Sequence, residues 1–201
     1  MPEPIDLHDT MAQQRLADRG WRCDRRHFLR GGIASLAVAL FPASALATLR
    51  TPTTRERSLT LYNIHTGESL TAAYWRDGDY LPDARQAIDH LLRDYRTGDV
   101  EAIHPALLDL LFAIHRRLDS GAPIHVISGY RSPATNEALR RDGHGVARHS
   151  LHMEGLAVDF ALPDRDLKAM RRTAVDLRGG GVGYYPASGF LHVDVGRVRY
   201  W

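Results

Sequence analysis

The chain has 201 residues, of which 44% are hydrophobic and 25% charged, with a formal net charge of +2. That length suits one domain with a sizeable core plus some extra sequence, and so small a charge gives no reason to expect nucleic acid as a partner. A single cysteine, Cys23, excludes an internal disulfide.

Residues 1–24 read as a polar leader. Arg25 and Arg26 follow, then Phe28 and Leu29, an apolar run from Ile33 to Phe41, and small residues. Ala43-Ser44-Ala45 and Ala45-Leu46-Ala47 each fit a small-x-small cleavage site. This is the three-part layout of a secretory signal, and the paired arginines point to the twin-arginine translocase as export partner. The apolar run is short for a bilayer span. Residues 1–47 are therefore expected to be a signal peptide, cleaved after Ala45 or Ala47, with an uncleaved anchor as the alternative. The mature protein is expected in the periplasm without a stable membrane span. Residues 48–57 read as a linker and 58–201 as the working domain.

Within that domain, "SLTLYNIHTGESLTAAYW" alternates on both sides of His65-Thr66-Gly67-Glu68, which predicts a β-hairpin. "DARQAIDHLLRDYR" places Ala87, Ile88, Leu91, Leu92 and Tyr95 at helical spacing. "HPALLDLLFAIHRRL" repeats the pattern, with Pro105 suited to a first turn. "PIHVISGY" predicts a short apolar strand, and "SPATNEALRR" a helix entered through Ser132 and Pro133. "GLAVDFAL" predicts a strand and "DRDLKAMRRTAVDL" a helix. "GGVGYY", "GFLHVDV" and "RVRYW" predict three short strands at the end. The expected class is α+β, with helices packed on a small antiparallel sheet.

Alternation assigns faces. On the strand after Gly155, Leu156, Val158 and Phe160 point one way, while Ala157, Asp159 and Ala161 point the other. The second face is small residues around one carboxylate. Gly155 lets the chain turn sharply, so His152 can fold back over that face. In "FLHVDV", His192 and Asp194 share a face. If the two strands pair, His152, Asp159 and His192 converge and leave a fourth position open, the ligand set of a catalytic Zn²⁺ site. Such a metal lowers the pKa of its water to about 7 and polarises a carbonyl.

Beyond these local arguments, "SGYRSPATN", "SLHMEGLAVDF" and "GGVGYYPASGFLHVDVG" followed by "VRYW" resemble the YcbK-like murein endopeptidases. These are part of a wider group of zinc peptidases that includes D-Ala-D-Ala metallopeptidases. The resemblance spans about Ser58 to Trp201, and Ser150, His152, Gly155, Ala157 and Asp159 meet its Ser-x-His-x-x-Gly-x-Ala-x-Asp pattern. It implies a hedgehog/D-Ala-D-Ala-peptidase-like fold, and zinc bound by His152, Asp159 and His192. The implied substrate is peptidoglycan stem peptides cut at an amide cross-link. Arg131, in "SGYRS", matches an arginine expected to hold a substrate carboxylate or a transition-state oxygen.

One departure concerns the general base. Many relatives outside the YcbK-like branch carry Glu three residues before the last zinc histidine, where this chain has Gly189. Some carry His two residues before it, where this chain has Phe190. Asp194 is the first candidate for the base and Glu154 the second, while Asp194 could equally orient a ligand. His149 forms an HxxH with His152 but falls outside the pattern, and His144 lies in a polar loop. Two other readings stay open: a wall-binding protein of the same fold without turnover, and a D-Ala-D-Ala carboxypeptidase.

Overall fold

The computed structural model describes residues 55–142 and 146–201. The expected signal segment, its cleavage sites, Cys23 and His144 lie outside the described residues.

The hairpin forms where alternation places it. Strands β1 (Glu56–Asn63) and β2 (Ser69–Arg76) pair antiparallel, with Leu61 opposite Leu70. The two-residue strand β3 (Asp79–Tyr80) extends this edge. Helix α1 (Pro82–Leu91) and helix α2 (Pro105–Arg117) follow, each with proline in its first turn. Then come β4 (Ile124–Ser128), α3 (Pro133–Arg141), a short 3₁₀ turn (Leu151–Glu154) and β5 (Ala157–Ala161). Helix α4 (Leu167–Leu177) leads to β6 (Gly181–Tyr185), β7 (Phe190–Asp194) and β8 (Arg199–Tyr200).

The α+β class stands, but the sheet is neither small nor purely antiparallel. All eight strands among the described residues join one sheet in the order β3-β2-β1-β4-β5-β7-β6-β8, with β1–β4 and β6–β8 parallel. The hairpin explains the difference. It carries Leu59, Leu61 and Tyr74, each at most 2% exposed, and such a face needs a cover. It gains one by docking on the edge of β4 while α1 packs on β2 and α2 on β1. The same docking removes an unpaired strand edge. Helix α4 covers β6 and β7. The core runs under α1, α2 and α4 and takes in Val158 and Phe160 from β5 and Leu191 and Val193 from β7. No helix among the described residues is long and apolar enough to cross a membrane.

Helix α1 is shorter than its periodicity suggests. It ends at Leu91, so Tyr95 falls outside it. Asp94 stops it. Its Oδ1 accepts from Arg96 N at 3.0 Å and its carbonyl from Gly98 N at 2.7 Å, a turn that competes with helix. Its Oδ2 accepts from Ser132 N at 2.9 Å, tying this turn to the start of α3. Asp94 is 2% exposed. Burial alone would raise its pKa, but hydrogen bonds from Thr135, Ser132 and Arg96 outweigh that and hold it below the usual value. A depressed carboxylate stabilises the fold above its unfolded pKa of about 3.9, and that stability fades as pH falls through the folded value. Asp94→Asn is therefore expected to cost about 1–3 kcal/mol near neutral pH. In urea unfolding, the gap to wild type should narrow as pH drops below about 4. A gap constant across that range would show that the charge plays no part.

Candidate metal centre

Strands β5 and β7 pair antiparallel with Asp159 directly opposite His192 and Ala157 opposite Asp194. Their hydrophobic faces enter the core, so the other faces come together. His152 reaches the same point from the 3₁₀ turn. That turn ends at Gly155, whose φ is +64° and whose Cβ would collide with the Ala102 carbonyl oxygen. Both facts favour glycine there. His152 is held at two atoms by the loop after β4: its Nδ1 donates to Gly129 O at 2.7 Å, and its carbonyl accepts from Arg131 N at 3.1 Å.

The structure thus brings His152, Asp159 and His192 together. All three are buried. Asp159 Oδ1 lies 2.9 Å from His192 Nδ1 and 3.3 Å from His152 Nε2, and the two ring nitrogens are 3.2 Å apart. The neighbours fix the tautomers. His152 Nδ1 faces a carbonyl, and His192 Nε2 faces Asp194 Oδ2 at 3.1 Å, so both must carry hydrogen. In the neutral rings, His152 Nε2 and His192 Nδ1 then bring bare lone pairs to a carboxylate oxygen. Three acceptors that converge without a donor repel one another unless a cation sits among them. Their spacing also fits: a tetrahedral ion with bonds of about 2.0–2.1 Å needs donor atoms about 3.3 Å apart.

Without metal, a proton must serve. Burial opposes a charge on His192, but hydrogen bonds to Asp159 and Asp194 outweigh it and raise its pKa. Burial would likewise raise Asp159, yet the two imidazoles hold it well below the usual carboxylate range.

Asp194 shares the expected strand face, and in this position both its oxygens are engaged. It is fully buried behind the His192 ring, bonded to Nε2 rather than Nδ1. Oδ1 accepts from Gly181 N, Gly196 N and Arg199 Nη1, and Oδ2 from His192 Nε2 and Arg199 Nη2. With every lone pair committed, it has none for a proton from water. Of the two roles open to it, the geometry fits the orienting one. Glu154 is exposed and does not line the cavity.

That cavity, about 670 Å³, opens over the triangle and is lined by His149, Arg131 and Tyr185 among others. Among the described lining residues Asp159 is the only carboxylate. Arg131 is 8% exposed, with Nη2 at 3.5 Å from Asp159 Oδ2 and 3.3 Å from Ser128 Oγ. His149 is exposed on the wall.

His65, Tyr95 and Arg96 had no functional signal in the sequence, whereas Tyr185 and Trp201 lie in the segments that carry the resemblance. His65 stacks on Tyr95 at 3.9 Å, and Arg96 lies over the Tyr95 ring at 4.3 Å. Trp201 sits 5.3 Å from the His192 ring and donates to Tyr185 Oη at 2.9 Å. Gly183, opposite His192, leaves room for that indole: a Cβ there would come within 2.8–2.9 Å of it.

Residues 51–201 match the family model described as Peptidoglycan L,D-endopeptidase MepK. The chain is 42% identical over 178 residues to Peptidoglycan L,D-endopeptidase MepK of Escherichia coli strain K12, covering 89% of this chain and 97% of that protein. It is also 42% identical over 178 residues to the Probable peptidoglycan L,D-endopeptidase MepK of Haemophilus influenzae, covering 88% and 94%. Among solved structures, the L-Ala D-Glu endopeptidase ChiX of Serratia marcescens aligns at 24% identity and a TM-score of 0.30, over 46% of this chain and 70% of that one; so loose a match carries no argument. The chain that builds the His152–Asp159–His192 triangle belongs to the peptidoglycan L,D-endopeptidase MepK family.

Proposed function

We propose that this protein is a zinc-dependent endopeptidase that hydrolyses L,D peptide cross-links of peptidoglycan, exported by the twin-arginine translocase to the periplasm. The observation that carries the zinc reading is the acceptor-only triangle facing a cavity of about 670 Å³. Two imidazoles and one carboxylate, with room for a fourth ligand, suit catalytic rather than structural zinc. Bound there, zinc would supply a water with a pKa near 7 and a Lewis acid for the scissile carbonyl. The bond assignment follows the names of the relatives, and the export route follows Arg25 and Arg26.

The chain's own residues set up the rest. Gly129 O and Asp194 each take the outer N–H of one imidazole, so both rings present their second nitrogen inward. Arg131 brings a cation beside Asp159, where it can meet negative charge on the substrate. With Asp194 committed and Glu154 outside the cavity, the base assigned here is His149, exposed on the wall; His65, the other imidazole there outside the triangle, is bonded to Ile127 O.

Digestion of purified cross-linked muropeptide dimers, analysed by mass, tests the function. The expected result is conversion to monomers, abolished by a chelator and restored by zinc. Dimers that lose only a terminal D-Ala would indicate a carboxypeptidase. Dimers bound but left uncut would indicate a wall-binding protein.

A further inference from the structure

We propose that Arg96 and Arg131 form a two-guanidinium cradle for a carboxylate of the substrate peptide, so that the enzyme selects cross-links whose linking residue carries that carboxylate free. This rests on the peptidase reading above and adds a specificity residue to it.

The first observation is Arg131 itself. Its guanidinium is buried, yet its Nε has no hydrogen-bond partner. Its contacts from Nη2 are long, and Asp159 is already engaged by two imidazoles. A buried cation left half-satisfied is costly, and a bound anion would complete it.

The second is a like charge on the wall of the same cavity, that of Arg96. Asp159 is the one described carboxylate on the wall; it meets Arg131 only at 3.5 Å and also faces both imidazoles, while Arg199, the remaining arginine on the wall, is paired with Asp194. Two guanidiniums facing one space suit a carboxylate, whose two oxygens can each accept from a planar fork.

The third is that both arginines are held in place. Asp94 bridges their segments, with one oxygen on Arg96 N and the other on Ser132 N, next to Arg131. Tyr130 N donates to Leu92 O at 2.7 Å, which joins the same two segments. The Arg96 guanidinium lies over the Tyr95 ring at 4.3 Å, Tyr95 stacks on His65, and His65 Nε2 bonds Ile127 O at 3.0 Å. An exposed arginine supported in this way loses little freedom when it binds an anion.

The test uses two muropeptide dimers that differ only in whether the carboxylate of the linking diamino acid is free or amidated. Wild type should prefer the free form. Arg96→Gln should lower the ratio of kcat/KM, free over amidated, by about tenfold or more, mainly through KM. Arg96→Lys should recover part of it, since it keeps the charge but loses the planar fork. A ratio unchanged in Arg96→Gln, or wild type cutting both dimers equally, would overturn the proposal. Binding of the same dimers to metal-free protein, followed by fluorescence anisotropy, separates it from the peptidase reading. If neither dimer is cut but binding prefers the free carboxylate in an Arg96-dependent way, the cradle stands and the endopeptidase assignment falls. If binding shows no such preference either, the cradle falls as well.

Discussion

His152→Ala is expected to leave a folded protein that neither retains zinc nor cleaves cross-links, and His192→Ala to do the same. Each removes one of three donor atoms spaced 2.9–3.3 Å apart, and two protein ligands hold zinc far more weakly than three. The fold should survive because the hydrophobic core lies on the opposite face of β5 and β7. His152→Ala does orphan Gly129 O, at a cost of about 1–3 kcal/mol, but it also removes one acceptor from a triangle of acceptors. Thermal unfolding gives a readout besides activity. At free zinc about one hundred times Kd, wild type should gain about 2.7 kcal/mol, or about 5–10 °C in Tm for a domain of this size. Neither variant should gain more than a small fraction of that. A variant that retains stoichiometric zinc would remove its residue from the ligand set.

The strand part of the site was legible because it depends on local periodicity. Val158 and Phe160 against Asp159, and Leu191 and Val193 against His192, alternate strictly, so one buried face fixes the other. Gly155 marked the sharp turn by the need for positive φ. What stayed hidden depends on segments distant in sequence. Alternation places Asp194 on the face of His192 but cannot tell that Gly181, Gly196 and Arg199 will occupy its oxygens. Tyr95 continues the apolar spacing of α1, and only the bond from Ser132 to Asp94, 38 residues apart, reveals why the chain leaves the helix first. Likewise β1 reads as half of a hairpin; its parallel pairing with β4 has no local signature. Arg96 has no local signal either, because nothing nearby in sequence points to a cavity that Arg131 and the 3₁₀ turn complete.

Asp194→Asn is expected to weaken zinc binding by about 10–100-fold and to lower stability, rather than to slow the chemical step at full zinc occupancy. An amide has one acceptor oxygen, whereas both oxygens of Asp194 face donors: three on Oδ1 and two on Oδ2. If the amide oxygen faces His192, its NH₂ meets Gly181 N, Gly196 N and Arg199. If it is flipped, the NH₂ meets His192 Nε2–H and favours the tautomer whose metal-facing Nδ1 carries the hydrogen. In either orientation a fully buried donor is left against donors, at about 1–3 kcal/mol. The pair with Arg199 also weakens, and Arg199 is the residue whose guanidinium lies over Trp201 at 4.9 Å. Two measurements separate orienting residue from base. Zinc affinity should fall in Asp194→Asn, and saturating zinc should restore most of the cleavage rate. A general base would behave in the opposite way: zinc would bind normally and the rate would stay down by about 10²–10⁴-fold. His149→Ala, measured alongside, is expected to show that second pattern, with zinc retained and turnover reduced.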